Sequence, residues 1–296
     1  MSKKFDSVSV IIPSLNGRKI IGNLIRSIYN QNYPGQIEII VTDDGSQDGT
    51  STYIKVHWPK IRLIRFSQNK GSAPALNASA KKTRGKFILA TNDDVVFEKN
   101  AIAALVECWH SAKNVGIVTG KMFGPGRKFA IPGFRINHFL GYHPYDFKNA
   151  NKIREADWAV GACLLIEKSL LRRLGYFDPK FIFCGEEYDL SFQIRRLGYK
   201  ILYTPKAVFY HAFRRSFRPS AGTLFAHYRG KFRYMFKNAS FANLLLFLPA
   251  QLIFIPITYI FQNKFVNIIQ IYRALLWNIQ NLPQTLESRR NRPAKI

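Results

Sequence analysis

Two adjacent carboxylates, Glu186 and Glu187, begin an amphipathic helical pattern, and a histidine, His211, ends the apolar run 200–210 that follows it. Backbone N–H groups and the helix dipole favour negative charge at a helix N-terminus. The pair therefore fits either a charged helix start or a general base. Taken alone, the pair is more typical of a helix start, so the rest of the chain decides between the two interpretations.

Polar residues also follow the apolar runs of the N-terminal half, at the point where each run ends. They occupy 13–17, 43–46 and 92–94, after apolar runs over 8–13, 37–42 and 86–91. Helical spacing at 19–31, 72–83 and 100–111 alternates with these runs and with strands at 61–66, near 115–120 and at 158–166. This alternation predicts an α/β fold with a doubly wound, mostly parallel sheet flanked by helices. Ligands bind beyond the carboxyl ends of such strands, so the three polar segments predict one binding rim.

The composition bounds the class of protein. Hydrophobic residues make up 47% of the 296 residues and charged residues 21%, which excludes a disordered chain. The chain has 44 Lys and Arg against 18 Asp and Glu, a net charge of +26. This charge predicts an anionic partner: a nucleic acid, an anionic membrane or a phosphorylated substrate. The three cysteines have no metal-ligand spacing, and the first residues have no apolar signal segment. Both observations predict a cytosolic protein.

The chain changes character after residue 213. Basic residues precede an apolar segment at 244–261, and Glu287 is the last remaining carboxylate. The apolar segment has about 18 residues, the lower limit for a membrane span. Pro249, Gln251 and Pro256 interrupt it, which favours a kinked interfacial hairpin, followed by an amphipathic helix at 265–282. The alternative is a helical subdomain packed on the preceding domain. We predict a boundary between domains 1–213 and 214–296.

Five motifs follow one another between Val8 and His211. They lie at 10–16 (Val-Ile-Ile-Pro-Ser-Leu-Asn), 41–50, 69–77, 91–95 and 183–190. In this order they resemble the motifs of inverting family 2 glycosyltransferases of the GT-A fold. The resemblance is strongest to bacterial rhamnosyl- and galactofuranosyltransferases of cell-surface polysaccharides. An ordered set of this length is far more specific than a single glycine-rich loop.

The resemblance implies which residues bind a nucleotide-sugar donor. Asp43 would accept a hydrogen bond from the imide N–H of uracil or thymine. Gly71 would let the backbone approach the nucleotide. Trp158 would line the sugar and diphosphate region, or else be a core aromatic residue. The implied set is Pro13, Ser14, Asn16, Asp43, Gly71, Asn77, Asp93, Trp158, Gly161 and Ala162.

The resemblance also implies a metal site and a base. Residues 92–94 match an Asp-x-Asp motif with Asn92 in the first position, and a divalent cation, Mn²⁺ or Mg²⁺, would stabilise the departing diphosphate. Asp94 is the implied direct ligand and His211 completes the site; an imidazole ligand favours Mn²⁺. Asn92 or Asp93 would place water or ribose hydroxyls. Glu187 stands where the family has an aspartate base, and Glu186 is the alternative base or holds an acceptor hydroxyl.

These implications combine into one expected function. A sugar would pass from a UDP- or dTDP-sugar to a lipid-linked glycan acceptor, at the inner face of the plasma membrane. Basic residues after 213 would hold the enzyme on anionic lipid, each contributing about 1 kcal/mol. A nucleic-acid-binding protein is the first alternative, suggested by charge alone and lacking any recognised nucleic-acid-binding motif, so we expect no nucleic acid partner. A nucleotide-sugar-binding pseudoenzyme is the second, suggested by Asn92 and Glu187.

Overall fold

The structure is a computed structural model that describes residues 5–127, 129–130, 137, 150–212 and 220–293. The Gly-, Pro- and aromatic-rich segment 124–145, which the sequence predicts to be a long loop, lies mostly outside the described residues. The basic residues Arg214, Arg215 and Arg218 lie outside them altogether. The elements in chain order are β1 (Val8–Ser14), α1 (Ile21–Tyr29), β2 (Ile37–Asp43), α2 (Thr50–His57), β3 (Arg62–Arg65), α3 (Ser72–Ala80), β4 (Phe87–Ala90), β5 (Val95–Phe97), α4 (Ala101–His110), β6 (Val115–Phe123), β7 (Phe129–Ala130), β8 (Arg154–Glu155), β9 (Leu164–Glu167), α5 (Lys168–Arg173), α6 (Glu186–Arg196), β10 (Lys200–His211), α7 (Ala221–Asn238), α8 (Phe241–Pro249), a π-helical turn (Ala250–Phe254), α9 (Ile255–Phe261), α10 (Phe265–Gln280) and α11 (Leu282–Arg290).

One mixed sheet forms the centre of the molecule, in the order β3-β2-β1-β4-β9-β6-β10-β5. Strands β3, β2, β1 and β4 are parallel neighbours, and β6 is parallel to β10. Strand β9 is antiparallel to both β4 and β6, and β5 is antiparallel to β10. The predicted α/β fold with a mostly parallel sheet is therefore confirmed, with antiparallel strands in its second half.

The strand predicted over 158–166 is wrong in its first half, because β9 begins only at Leu164. Side chains bind the backbone before that point. The Ala159 N–H donates to Ser191 Oγ at 3.1 Å, and the Ala162 carbonyl accepts from Thr91 Oγ1 at 2.8 Å. These backbone groups are satisfied without strand pairing, so the segment stays irregular.

Helices cover both faces of the sheet. Alternate residues of β1 point to opposite sides: Val10 joins the core under α1 and α4, whereas Ile11 joins the core under α3, α6 and α7. Strands buried on both faces read as continuous apolar runs, which is why they were visible in the sequence.

Helix α7 belongs to the same core as the sheet. Its residues Tyr228, Phe232 and Met235 are buried in one cluster with Ile11 and Leu164. The C-terminal region therefore packs on the sheet domain, as the alternative interpretation of the sequence expected.

The apolar segment is one helical run, Phe241–Phe261, made of α8, the π-helical turn and α9. The hairpin predicted inside 244–261 is wrong, because the chain reverses only at 262–264, where Asn263 has a φ of 54°. Helix α10 then folds back on the run, and the Tyr272 hydroxyl donates to the Leu252 carbonyl at 2.7 Å. We call the run and α10 together the apolar hairpin.

That last hydrogen bond explains how Pro256 is tolerated inside the helical run. Proline has no N–H, so the carbonyl four residues earlier, that of Leu252, loses its α-helical donor. Tyr272 supplies the missing donor from α10. The run therefore stays helical through Pro256.

Candidate active site

The polar segments after β1, β2 and β4 meet at one rim, as predicted. Ser14 Oγ donates to Asp93 Oδ2 at 2.6 Å, which joins the ends of β1 and β4. The N–H of Asn16 donates to Ser46 Oγ at 2.8 Å, and Asn16 Oδ1 accepts from the N–H of Gln47 at 2.9 Å. Pro13, next to Ser14 in β1, is partly exposed at the same edge.

Asp43 orders the loop after β2. Its side chain is fully buried; Oδ1 accepts from the N–H of Ser46 at 2.8 Å, and Oδ2 accepts from the hydroxyl of Ser51. The neighbouring Asp44 accepts from the N–H groups of Lys70 and Gly71 at 2.7 and 2.9 Å. In this conformation both carboxylates hold rim loops together, and the Asp43 carboxylate is closed to a nucleotide base.

Gly71 and Asn77 contact the segment that leads to Glu186. Gly71 has a φ of 101°, and a Cβ there would lie 2.5 Å from the Cα of Ile182. Asn77 donates to the Phe177 carbonyl at 2.8 Å and accepts from the Phe177 N–H at 3.0 Å. Both were expected to touch the nucleotide; the structure instead packs them against residues 177–182.

The three residues expected at the metal site lie together. His211 Nε2 lies 3.0 Å from Asp94 Oδ1 and 3.3 Å from Asn92 Nδ2. The antiparallel pairing of β10 with β5 sets this contact, since His211 stands opposite Val95. Asp94 and His211 side chains are about one tenth exposed, so the site is shielded from water.

This donor set fits a divalent cation in part. Among the described residues no three or more His, Cys, Asp and Glu side chains form a metal cluster. One carboxylate and one imidazole are present, and the third group is the Asn92 amide, whose oxygen faces the imidazole only after an amide flip. Carboxylate, amide and imidazole ligands suit Mn²⁺ better than Mg²⁺.

Glu186 and Glu187 open α6, as predicted, after Cys184 and Gly185 with φ values of 69° and 108°. Glu186 Oε1 accepts from Ser72 Oγ at 2.7 Å, and its other oxygen is buried with no hydrogen-bond partner among the described residues. Glu187 Oε2 accepts from the Gly185 N–H at 3.0 Å. The two side chains form a carboxyl pair held by α3 and by the turn before α6.

The pKa values of both carboxyl groups are raised. Burial raises the pKa of Glu187 to about 8, and the neighbouring Glu186 charge adds to the effect. Burial also raises the pKa of Glu186, against the lowering effect of its hydrogen bond from Ser72. A carboxyl with a pKa near neutrality is suited to general acid–base work.

Segment 158–162 connects the pair to the rim. Ala162 accepts from Thr91, which precedes Asn92, and a Cβ on Gly161 would lie 3.6 Å from the Cβ of Glu187. Trp158 is 2% exposed and packs edge-on against Tyr188 at 4.8 Å between ring centroids. Trp158 is thus the core aromatic residue of the alternative interpretation, whereas Gly161 and Ala162 border the site.

Sequence reasoning missed a buried ion network beside the carboxyl pair. Arg233 Nη2 lies 2.8 Å from Asp178 Oδ2, and Lys237 Nζ lies 2.9 Å from Asp178 Oδ2 and 2.8 Å from Asp189 Oδ2. Arg229 donates to the Lys180 carbonyl at 3.1 Å. These α7 cations were expected to face anionic lipid; that expectation is wrong, because all three are buried. Their four-residue spacing on one helix face was the available signal.

The chain belongs to glycosyl transferase family 2, whose model matches residues 9–175. It is 24% identical over 228 residues to the N-acetylglucosaminyl-diphospho-decaprenol L-rhamnosyltransferase of Mycobacterium tuberculosis, covering 67% of this chain and 74% of that protein. It is 26% identical over 218 residues to the probable glycosyltransferase YdaM of Bacillus subtilis, covering 70% of this chain and 50% of the relative. The chain spans about half the length of several curated relatives.

Solved glycosyltransferases share the fold. The mannosyltransferase PcManGT of Pyrobaculum calidifontis, in complex with GDP-Man and Mn²⁺, superposes with a TM-score of 0.60 at 19% identity, covering 94% of this chain and 76% of that one. GalNAc-T7 with UDP, GalNAc and Mn²⁺ gives a TM-score of 0.63 at 17% identity over 79% of this chain and 48% of that one. The predicted GT-A fold is confirmed. The family match ends before Glu186, so the assignment of the base rests on the geometry above.

Proposed function

We propose that this protein is an inverting, divalent-cation-dependent glycosyltransferase. It would transfer a sugar from a UDP- or dTDP-sugar to a glycan acceptor that is carried on a lipid. The observation that carries the proposal is the Glu186–Glu187 carboxyl pair, with its raised pKa values, joined through Gly161 and Ala162 to the rim that bears Asp94 and His211.

Glu187 is the proposed base. Its carboxylate takes the proton of the acceptor hydroxyl as that oxygen bonds to the anomeric carbon of the donor sugar. The bond from the anomeric carbon to the diphosphate breaks on the opposite face, and its electron pair leaves with the nucleoside diphosphate. One displacement of this kind inverts the anomeric configuration. Glu186, whose second oxygen has no hydrogen-bond partner in the part of the chain that the structure describes, would bind a neighbouring acceptor hydroxyl.

Asp94, His211 and Asn92 would hold the cation, which, when bound, neutralises charge on the departing diphosphate. Ser14, Asn16 and Asp93 border the proposed donor cleft at the rim. GalNAc-T7 was solved with UDP and Mn²⁺ and PcManGT with GDP-Man and Mn²⁺, which supports a cation here as well.

The apolar hairpin supports a membrane location. The most apolar 18-residue window of the run Phe241–Phe261 has a mean hydropathy of 2.1, and 22% of that window is buried. At about 1.5 Å per residue the run is about as long as a bilayer core is thick. Helix α10 packs along α7, which buried ions fix to Asp178 before α6 and to Asp189 in α6, so α10 cannot leave the domain to cross a bilayer. We therefore propose that the hairpin lies in the interface on the cytoplasmic side.

Exposed side chains on both helices supply the contact with lipid. Those of α10 share one face at three- and four-residue spacing. On the run, Phe254 and Phe261 are 57% and 84% exposed. The exposed members are Phe241, Leu245, Leu246, Ile253, Phe254, Ile257, Ile260, Phe261, Phe265, Val266, Ile269, Tyr272, Leu276 and Ile279.

A donor screen tests the proposal. Nucleotide-sugars are added with Mn²⁺ while the unfolding temperature is followed, since a selective ligand stabilises the fold by mass action. The stabilising donor is then used in a transfer assay with wild type and Glu187→Gln. We expect donor binding in both and a transfer rate at least about a hundredfold lower in the variant. Donor binding without transfer in the wild type would favour the pseudoenzyme. Tight, salt-sensitive nucleic acid binding without donor binding would favour the remaining alternative.

A further inference from the structure

Helix α7 packs directly against the turn that carries the carboxyl pair. A Cβ on Gly230 would overlap the carbonyl oxygen of Cys184, and a Cβ on Gly185 would lie 3.6 Å from the carbonyl carbon of Gly230. Only a residue without a side chain lets the helix approach the turn this closely. Gly230 is therefore the point of contact between α7 and the turn.

The peptide group between Cys184 and Gly185 contacts both Gly230 and Glu187. Its carbonyl oxygen faces Gly230, and its N–H donates to Glu187 Oε2 at 3.0 Å. A trans peptide is planar, and its C=O and N–H point in opposite directions. The orientation of this one peptide plane therefore sets the direction of the hydrogen bond that Glu187 receives.

Buried ions hold α7 against the turn on both sides of this contact. Asp178, before the turn, accepts from Arg233 at 2.8 and 3.1 Å and from Lys237 at 2.9 Å. Asp189, after the turn, accepts from Lys237 at 2.8 Å and from Asn238 at 2.9 Å. Helix α7 thus binds both ends of the segment 178–189.

We propose that Gly230 is a positioning residue for Glu187. Helix α7, fixed by its ion pairs to Asp178 and Asp189, sets the plane of the Cys184–Gly185 peptide and so orients the Glu187 carboxylate toward the acceptor. This inference rests on the proposed function. It assigns to a helix beyond the matched family region a part in orienting the base. Displacements of about 1 Å can lower a catalytic rate by about a hundredfold, so a small shift of this peptide is enough to matter.

The test compares two glycine-to-alanine changes in the same helix. Gly230→Ala places a methyl group against the Cys184 carbonyl, whereas at Gly222 the nearest atom to a new Cβ is Ser220 Oγ at 3.7 Å. Both variants exchange glycine for the stronger helix former alanine, so neither loses helix propensity. Transfer is measured with the full chain, Mn²⁺ and the donor found in the screen.

For Gly230→Ala we expect kcat to fall by about 10- to 100-fold with an unchanged KM for the donor. The acid limb of the kcat–pH profile should move to higher pH, because the lost Gly185 hydrogen bond normally favours the charged carboxylate. Gly222→Ala should behave as wild type. A merely structural role would lower the unfolding temperature and the amount of active enzyme without moving the pH limb.

If Gly230→Ala retains the kcat and pH limb of Gly222→Ala while the wild type is active, the inference is overturned and the proposed function stands. If the wild type transfers no sugar, the proposed function and this inference fail together. Should Gly230→Ala not fold, Asn238→Ala decides: it removes one hydrogen bond to Asp189 and should lower kcat in the same way, and an unchanged kcat would overturn the inference.

Discussion

Glu186→Gln should shift the acid limb of the transfer reaction to lower pH. Part of the raised pKa of Glu187 comes from the nearby charge of Glu186, after the larger effect of burial. Glutamine removes that charge and can still accept the hydrogen bond from Ser72. The pKa of Glu187 should therefore fall below about 8 while burial keeps it above its usual value.

The size of the effect follows from the charged fraction of the base. With a pKa of about 8, about one tenth of Glu187 is charged at pH 7, and the rate falls about tenfold for each further unit of acid. A downward shift of one unit would raise the charged fraction at pH 7 to about one half, a gain of about fivefold. At pH 9 the two proteins should have nearly equal rates, since the base is then mostly charged in both.

The assay is kcat for transfer at saturating donor and cation across the pH range, with the donor KM as control for the integrity of the cleft. An acid limb that stays at the same pH in Glu186→Gln would refute the electrostatic coupling of the two carboxyl groups. A rate lower by about a hundredfold at every pH would identify Glu186 as the base.

Three further predictions concern the metal, the ion network and the membrane. Asp94→Ala should raise the Mn²⁺ concentration for half-maximal transfer by more than about tenfold; full activity in excess chelator would contradict a metal role. Lys237→Met should lower the free energy of unfolding, measured by urea denaturation, by about 3–5 kcal/mol, because Asp178 and Asp189 lose a buried cation. The control is Lys55→Met at an exposed position, which should change the free energy of unfolding by less than about 0.5 kcal/mol. The double variant Phe254→Ser, Phe261→Ser should co-sediment less with neutral and with anionic vesicles, because each lost ring costs about 1.5–3 kcal/mol of binding free energy. Vesicle binding that vanishes at high salt would show that charge, and not apolar burial, holds the protein on the membrane.

The sheet and the rim were predictable because their signals are local. Each buried strand is a short apolar run, and each run ends in polar residues at the carboxyl edge. The family motifs imply that Asp94 and His211 share a site, and the pairing of β5 with β10 brings the two side chains to 3.0 Å. The antiparallel direction of β9 was not predictable, since an apolar run carries no sign of its direction.

The roles of individual residues were harder to predict than their positions. Gly71, Asn77 and Asp43 stand where the motifs place them, yet they bind neighbouring loops of the protein itself. A motif fixes where a residue lies along a strand or loop, but its partners depend on how distant segments pack. Gly230 shows the same limit, because a glycine inside a helix has no sequence feature that points to Cys184.

The burial of the basic residues in α7 could not be predicted from the sequence, because it depends on carboxylates in a distant segment. A row of lysine and arginine on a helix is usually a solvated face. Here Arg233 and Lys237 meet Asp178 and Asp189, which lie far away in the sequence. The helical course of the run through Pro256 likewise depends on a distant residue, since Tyr272 replaces the donor that Pro256 lacks.

The ion network also limits how this chain can exchange parts with its relatives. A chimera that joins the sheet domain of one enzyme to the C-terminal helices of another would break the pairing of Asp178 and Asp189 with Arg233 and Lys237, unless all four residues were transferred together. Each half would then carry buried charges of one sign. We therefore expect the four positions to change in concert among functional homologues, and a junction at residue 213, which separates the two aspartates from the two cations, to be a poor cutting point for recombination.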